Sequence, residues 1–135
     1  MAEAKLKKTL LAGVVALFLA TGAVSTPAHS ETGNGLLQAC EALERTARLS
    51  GDNVQLPARA DVHICWGYMS AVQDFAVLRD PETKKTLFRS CPGPDTTLMQ
   101  FIRVFTNYAR THPQELHWEA SNVVYRAMQS AFPCP

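Results

Sequence analysis

The sequence predicts an all-α fold, a compact four-helix domain with two disulfides that follows an N-terminal signal peptide. Three observations predict it: an apolar run behind a basic start, four stretches of helical periodicity, and an even number of cysteines. No stretch of useful length alternates polar and apolar residues as a half-buried strand does. We therefore assign residues 1–30 to the signal peptide and residues 31–135 to one helical domain.

The signal peptide is predicted from the pattern of the N-terminal residues. Its basic start contains Lys5, Lys7 and Lys8. Residues 9–24 form an uncharged apolar run, shorter than the roughly 20 residues that an untilted membrane-spanning helix requires. Ala28 and Ser30 are small and suit cleavage before Glu31, and cleavage before His29 fits nearly as well. We expect export, cleavage, and a product without a membrane anchor.

The charge of the domain argues against binding to nucleic acid. The whole chain has thirteen Lys and Arg residues against twelve Asp and Glu residues. Three of the basic residues and one of the acidic residues lie in residues 1–30, which leaves ten basic against eleven acidic residues in the domain. Such a balance lacks the positive charge that phosphate contacts require.

All four cysteines lie in the domain, at Cys40, Cys65, Cys91 and Cys134. An even number in a small exported chain is typical of a disulfide framework. The alternatives are four buried free thiols and a zinc site, but no two cysteines have the two-to-four spacing of zinc ligands. The Cys-x-x-Cys-His motif of haem attachment is also missing. We expect two disulfides, no metal and no cofactor.

The first two helices are predicted from their apolar periodicity. The first covers about residues 36–49, with Asn34 as its cap and Gly51 at its end. The second covers about residues 60–78 and is apolar almost all round, which favours a position at the centre of the bundle. Residues 79–94 follow as the longest irregular segment, because they contain three prolines and a glycine among charged residues.

The last two helices are predicted from their start signals as well as their periodicity. Thr97 and Gln100 can form a capping box at the start of a third helix over residues 97–112. Pro113 suits the first turn of a fourth helix over residues 113–133. Short connections make neighbouring helices antiparallel.

The antiparallel arrangement favours one disulfide pairing among the three that four cysteines allow. Cys91 lies just before the third helix and Cys134 just after the fourth, so both lie at one end of the helix pair. We pair these two, which leaves Cys40 to bond with Cys65. Each bridge should contribute about 3 to 4 kcal/mol on the loop-closure model.

We predict that the protein is not an enzyme. A cysteine beside a histidine can act as nucleophile and base, and the domain contains His63, His112 and His117. The cysteines, however, are expected to be oxidised, and a disulfide sulfur is not a protease nucleophile. No nucleophile elbow, Gly-rich phosphate loop or metal-binding His pair occurs in the sequence.

Two residues are unusual for the apolar second helix. Asp74 either lies on a solvated strip beside Ser70 and Gln73, or is buried and fixes a neighbouring helix or subunit. Gly67 costs about 1 kcal/mol against alanine in the middle of a helix, so it can mark the close approach of another helix.

The turn between the third and fourth helices is a candidate partner-binding site. Polar and aromatic residues crowd there, at Arg110, His112, Glu115, His117 and Trp118. This composition is typical of the edge of an interface, and the alternative is an ordinary solvated turn with a capping histidine.

Four short motifs occur together in an order that resembles one known family. They are Cys65-Trp66-Gly67-Tyr68-Met69 with Asp74, then Cys91-Pro92, then His112-Pro113-Gln114-Glu115-Leu116-His117, then Ala131-Phe132-Pro133-Cys134. Over roughly residues 36–135 the chain resembles the immunity proteins of type VI secretion amidase effectors, the resistance-associated and type VI amidase immunity group of Gram-negative bacteria. Gly67, Tyr68 and Asp74 match structural positions of that pattern, while Ala71 stands where glycine is more usual.

The resemblance implies a periplasmic, disulfide-bonded four-helix protein that forms a homodimer. Its partner would be a peptidoglycan amidase delivered by a rival or sibling cell, whose active site the immunity protein covers. Two other classes stay open: a periplasmic chaperone or stress protein, and a purely structural or ligand-binding helical module. An amidase gene next to this one would favour the immunity interpretation.

Overall fold

The computed structural model describes residues 31–51 and 53–135, so the predicted signal peptide lies outside the described residues. In chain order the elements are α1 (Gly33–Thr46), β1 (Arg48–Ser50), β2 (Asn53–Gln55), α2 (Ala60–Ala76), α3 (Leu98–Thr111), a 3-10 helix (Pro113–Glu115) and α4 (Ala120–Ala131). None of the helices in this described part combines the length and hydropathy that a bilayer span requires.

The prediction of a purely all-α fold is wrong, because β1 and β2 form a two-stranded antiparallel hairpin. The first helix ends at Thr46 instead of residue 49. Gly51 does not end the helix. It lies in the two-residue connection between the paired Ser50 and Asn53, with φ at +60°, a conformation that the favoured hairpin turns require and that glycine adopts without strain. The hairpin escapes pattern analysis because neither strand buries a face.

The start of α1 docks onto the chain that precedes α4. Thr32, and not Asn34, caps the helix, because its Oγ1 accepts a hydrogen bond from the Gly35 N–H at 3.1 Å. The Gly33 N–H donates to the Trp118 carbonyl and the Asn34 N–H donates to the Leu116 carbonyl, both at 2.8 Å. This pairing ties the start of the described domain to the segment before α4.

The prediction of a single fourth helix over residues 113–133 is also wrong at its start. Pro113 begins only a short 3-10 helix, and α4 starts at Ala120. The Ala120 N–H donates to the Glu31 carbonyl at 2.8 Å, and the carbonyls of residues 116 and 118 accept from α1. Backbone groups that a continuous helix would use internally are thus bonded to another segment.

α2 buries one face only, which corrects the expectation that it lies at the centre of the bundle. Its buried residues follow helical spacing, at Val62, Cys65, Met69, Val72 and Ala76. They pack with the buried faces of α1, α3 and α4 in one hydrophobic core. On the other side of α2, the large apolar side chains of Ile64, Phe75 and Leu78 are exposed to solvent.

The two disulfides have the pairing that the helix ends predict. Cys40 of α1 bonds with Cys65 of α2, and both residues are fully buried. Cys91, before α3, bonds with Cys134, after α4, and the Cys91 N–H also donates to the Phe132 carbonyl at 2.8 Å. The bridges therefore link α1 with α2, and the segment before α3 with the segment after α4.

The capping box predicted at the start of the third helix is confirmed. The Gln100 N–H donates to Thr97 Oγ1 at 3.3 Å, and the Thr97 N–H donates to Gln100 Oε1 at 2.7 Å. Two N–H groups that the helix cannot bond internally are satisfied in this way.

We expect this cap to contribute to the free energy of unfolding. Replacing Thr97→Ala removes the acceptor for the Gln100 N–H, so the free energy of unfolding should fall by about 1 kcal/mol. Thr97→Ser keeps a hydroxyl and should fall by less than half as much. Urea unfolding followed by circular dichroism measures both. Equal stability of the Ala and Ser variants would show that the side-chain cap contributes nothing.

Candidate protein-binding surfaces

Arg110, the first residue of the predicted partner-binding turn, is held by an ion-pair network on α1. Its Nε donates to Glu41 Oε1 at 3.0 Å and its Nη2 donates to Glu44 Oε2 at 3.2 Å. The hydrogen bond to Glu41 is the main cause that raises the pKa of Arg110 above its usual value. The guanidinium joins α3 to α1 at the surface, where such pairs contribute little to stability.

Glu115 is buried, with 6% of its surface exposed, and two neighbours satisfy its carboxylate. The Tyr108 hydroxyl donates to Oε2 at 3.1 Å, and Arg126 Nη1 lies 3.7 Å from Oε1. Burial, followed by the hydrogen bond to Glu115, raises the pKa of Tyr108. His112 stacks on the Tyr108 ring at 3.9 Å between centroids, with its Nδ1 2.9 Å from the Tyr108 carbonyl.

Trp118 packs partly buried against the core, and the Arg126 guanidinium lies 5.3 Å from the centre of its ring. This distance permits a cation–π interaction. His117 contacts the edge of the same ring at 6.0 Å between centroids and is itself exposed. Four of the five predicted contact residues thus make close internal contacts that hold the turn in shape. Their contact with a partner stays a prediction, and His117 is the member best placed for it.

The residues singled out on α2 lie at or near the surface. Asp74 is exposed, which agrees with the solvated-strip alternative. Gly67 is exposed too, and a Cβ added to it would meet no described atom within 4 Å, so no helix of the described domain approaches it closely. Tyr68 is partly buried and packs against the core. No described neighbour therefore explains why residue 67 is glycine.

An apolar groove between α2 and α4 is the surface that sequence reasoning missed. Its volume is about 270 Å³ and its lining is nearly all apolar, formed by Tyr68, Ala71, Val72, Phe75, Phe88, Ser121 and Val124. We call it the α2–α4 groove. Ile64 and Leu78 extend its apolar surface along α2, and Phe75 on its rim is 56% exposed. Contiguous exposed apolar surface of this kind marks sites of protein contact.

The sequence contained a signal for this groove. The exposed apolar residues Ile64, Ala71 and Phe75 recur at helical spacing on a second side of α2, and the exposed Leu78 follows the end of the helix. Two apolar faces on one helix were interpreted as burial on both sides. Among the described residues, only one face of α2 packs against the rest of the domain, and the other is exposed.

Opposite charges flank the groove. Near Tyr68, burial and then the carboxylates of Glu119 and Glu31 raise the pKa of the tyrosine hydroxyl, which places both acidic groups close to this part of α2. The segment that follows α2 is basic and contains Arg79, Lys84, Lys85 and Arg89. The same segment contributes Phe88 to the groove. Acidic groups therefore lie near the middle of α2, and a basic segment follows its C-terminal end.

Within residues 31–51 and 53–135, no group of three or more His, Cys, Asp or Glu side chains is arranged to hold a metal ion. All four cysteines are used in disulfides. The described part therefore has two candidate contact surfaces, the α3–α4 turn and the α2–α4 groove.

Comparison with known proteins identifies the family. The model of the Rap1a immunity proteins matches residues 32–134. No curated protein and no solved structure shows significant similarity to the chain. Because the family match begins just before α1 and ends at the last cysteine, it covers nearly the whole described domain. The chain belongs to the Rap1a immunity proteins, a family of type VI effector immunity proteins.

Proposed function

We propose that this protein binds and inhibits a peptidoglycan amidase delivered by a type VI secretion system, and that it does so in the periplasm as a homodimer. The family match is the observation that carries the proposal, because immunity proteins of this family bind a cognate effector. The motifs from Cys65 to Cys134 support an amidase as the effector. The two contact surfaces support a protein as the ligand.

The periplasm is proposed from the N-terminal pattern and from the cysteines. Basic residues followed by the apolar run of residues 9–24 are typical of export. The two disulfides form and persist in an oxidising compartment such as the periplasm. An amidase acts on peptidoglycan in that compartment, so inhibitor and target would meet there.

We propose the α3–α4 turn as part of the contact with the amidase. Its internal contacts at Glu115 and Trp118 fix the turn before any partner binds. A preordered surface loses little conformational entropy on binding, which favours tight association. Protection of a cell requires nanomolar affinity or better, about −12 kcal/mol. His117, exposed beside this rigid frame, is the residue we expect to contact the amidase.

We propose the exposed face of α2 as the contact between two copies of the chain. Gly67 and Ala71 lie one turn apart on this face, and the absence of a side chain at residue 67 lets another helix approach closely. If the helices cross antiparallel at this point, Ile64 of one copy lies opposite Phe75 of the other. A two-fold interface requires such self-complementarity, because the same patch is used by both subunits.

The dimer contact can be tested at Gly67. A Cβ added at residue 67 would meet no described atom within 4 Å, and leucine favours a helix over glycine by up to about 1 kcal/mol. The variant should therefore be at least as stable as the wild type against unfolding, yet sediment as a monomer where the wild type sediments as a dimer. Sedimentation velocity and thermal unfolding measure the two properties.

A charged side chain provides a second test with a matched control. Phe75→Lys should also yield monomers, whereas Leu49→Lys, at a similarly exposed position on the hairpin, should leave the dimer intact. Dimers that persist in both α2 variants would show that this face is not the interface.

The amidase proposal is tested in cells. Expression in the periplasm of an amidase encoded beside this gene should lyse the cells unless the full-length chain is co-expressed. A chain that lacks residues 1–30 should fail to protect, although the refolded protein should still bind the amidase in vitro. Lysis despite correctly exported protein would contradict the immunity proposal and favour a stress or structural role.

A further inference from the structure

The two disulfides of this protein lie in contrasting surroundings. Cys40 and Cys65 are fully buried in the core between α1 and α2. Cys134 is exposed at the penultimate position of the chain, and its partner Cys91 is only partly buried. A reagent in solution can therefore reach the second bridge without unfolding of the domain.

A basic cavity surrounds the exposed bridge. Its volume is about 590 Å³, and it is lined by Arg79, Lys84, Lys85, Thr86, Arg89, Cys91, Cys134 and Pro135. Four cationic side chains thus share the cavity with both cysteines. Thr86 Oγ1 lies 3.7 Å from Cys134 Sγ, so the hydroxyl can also donate to this sulfur.

The backbone of the segment is fixed in a shape that keeps the cations at this bridge. Lys84 and Arg89 have φ angles of 59° and 50°, a left-handed conformation that is unfavourable for residues other than glycine. Asp80 holds the turn by accepting from the N–H groups of Glu82 and Thr83, and these bonds lower its pKa. The backbones of Arg79 and Thr86 form an isolated antiparallel β-bridge within the segment.

We propose that Cys91–Cys134 is a site of thiol–disulfide exchange with small or protein dithiols, and that Cys40–Cys65 does not exchange in the folded protein. Positive charge stabilises thiolates, both the attacking thiolate as it arrives and the cysteine thiolate as it leaves. Solvent access and positive charge therefore both favour exchange at the exposed bridge. The buried bridge is closed to solvent. This inference does not depend on the identity of the effector.

The exchange proceeds in two balanced steps. One thiolate of the dithiol attacks Cys134 Sγ, a mixed disulfide forms, the Cys91–Cys134 bond breaks, and Cys91 leaves as a thiolate. The second thiol of the dithiol, once deprotonated, then attacks the other sulfur of the same dithiol in the mixed disulfide and releases Cys134 as a thiolate. Two electrons pass from the dithiol to the cysteines. The dithiol becomes a disulfide, and its two protons go to the solvent or to the new thiolates.

Opening of this bridge would release the residues after α4 from the segment that contains Phe88, which lines the α2–α4 groove. The backbone hydrogen bond from Cys91 to Phe132 would remain. Exchange would thus loosen one wall of the groove. The hydrophobic core would stay cross-linked by Cys40–Cys65.

The test uses the exported, processed protein with dithiothreitol as the dithiol. Samples are quenched with iodoacetamide at intervals, and alkylated cysteines are located by peptide mass spectrometry. Cys91 and Cys134 should be alkylated at least about tenfold faster than Cys40 and Cys65, because access limits exchange at a buried bridge. Simultaneous alkylation of all four cysteines would overturn the proposal.

Charge variants separate the effect of the cations in the cavity on the rate of reduction from the effect of solvent exposure alone. Lys84→Gln with Lys85→Gln should slow reduction of the exposed bridge by about threefold or more, since a higher thiol pKa makes a poorer leaving group. The control, Arg48→Gln with Arg103→Gln, removes two exposed cations elsewhere and should reduce at the wild-type rate. Equal rates in both double variants would overturn the role of the cavity.

Discussion

The close docking of the start of α1 onto the chain before α4 is the constraint on which the rest of the structure depends. It requires glycine at residue 33, because a Cβ there would lie 2.8 Å from Val123 Cγ2 and 3.3 Å from the backbone of Leu116. The backbone pairing that follows sets the start of α4 at Ala120. It also fixes Trp118 at the α3–α4 turn and Glu119 near Tyr68, so that both candidate contact surfaces take their shape from it.

Polar and apolar residues have unexpected roles in this domain. The polar residues of the turn, which the sequence suggested as contacts, largely satisfy one another: Glu115 is bonded to Tyr108 and Arg126 inside the fold. Apolar residues of α2 such as Phe75, which the sequence suggested as core, are exposed. A buried carboxylate needs partners wherever it lies, whereas an exposed apolar face has no partner within the monomer. The second situation is the stronger sign of an external contact.

The sequence predicted those features that local chemistry determines. The capping box at Thr97 and the pairing of Cys91 with Cys134 follow from residues close to helix ends, and both are present. Features set by distant contacts were not predicted. The start of α4 depends on the hydrogen bond that the Ala120 N–H donates to the carbonyl of Glu31, far away in sequence. The hairpin at Gly51 buries no face that periodicity could reveal.

The orientation of α2 illustrates the same limit. Periodicity shows that a helix has apolar residues on two sides, but it does not show which side meets the same chain. Met69 and Phe75 are equally apolar in sequence, and only the packing of the other three helices buries the first and exposes the second. The motif at Gly67 and Tyr68 was predicted as structural, and the structure adds that Tyr68 lines the groove beside the exposed glycine.

Inhibition of an amidase by direct contact, which we propose for this protein, can be measured with purified components. The activity of a purified type VI amidase effector from the same genome is followed on isolated peptidoglycan as the processed protein is titrated in. We predict that activity falls in proportion to added protein and reaches zero near one chain per amidase, and that His117→Ala, with unchanged helical content, inhibits more weakly. Full activity in the presence of excess wild-type protein would contradict it.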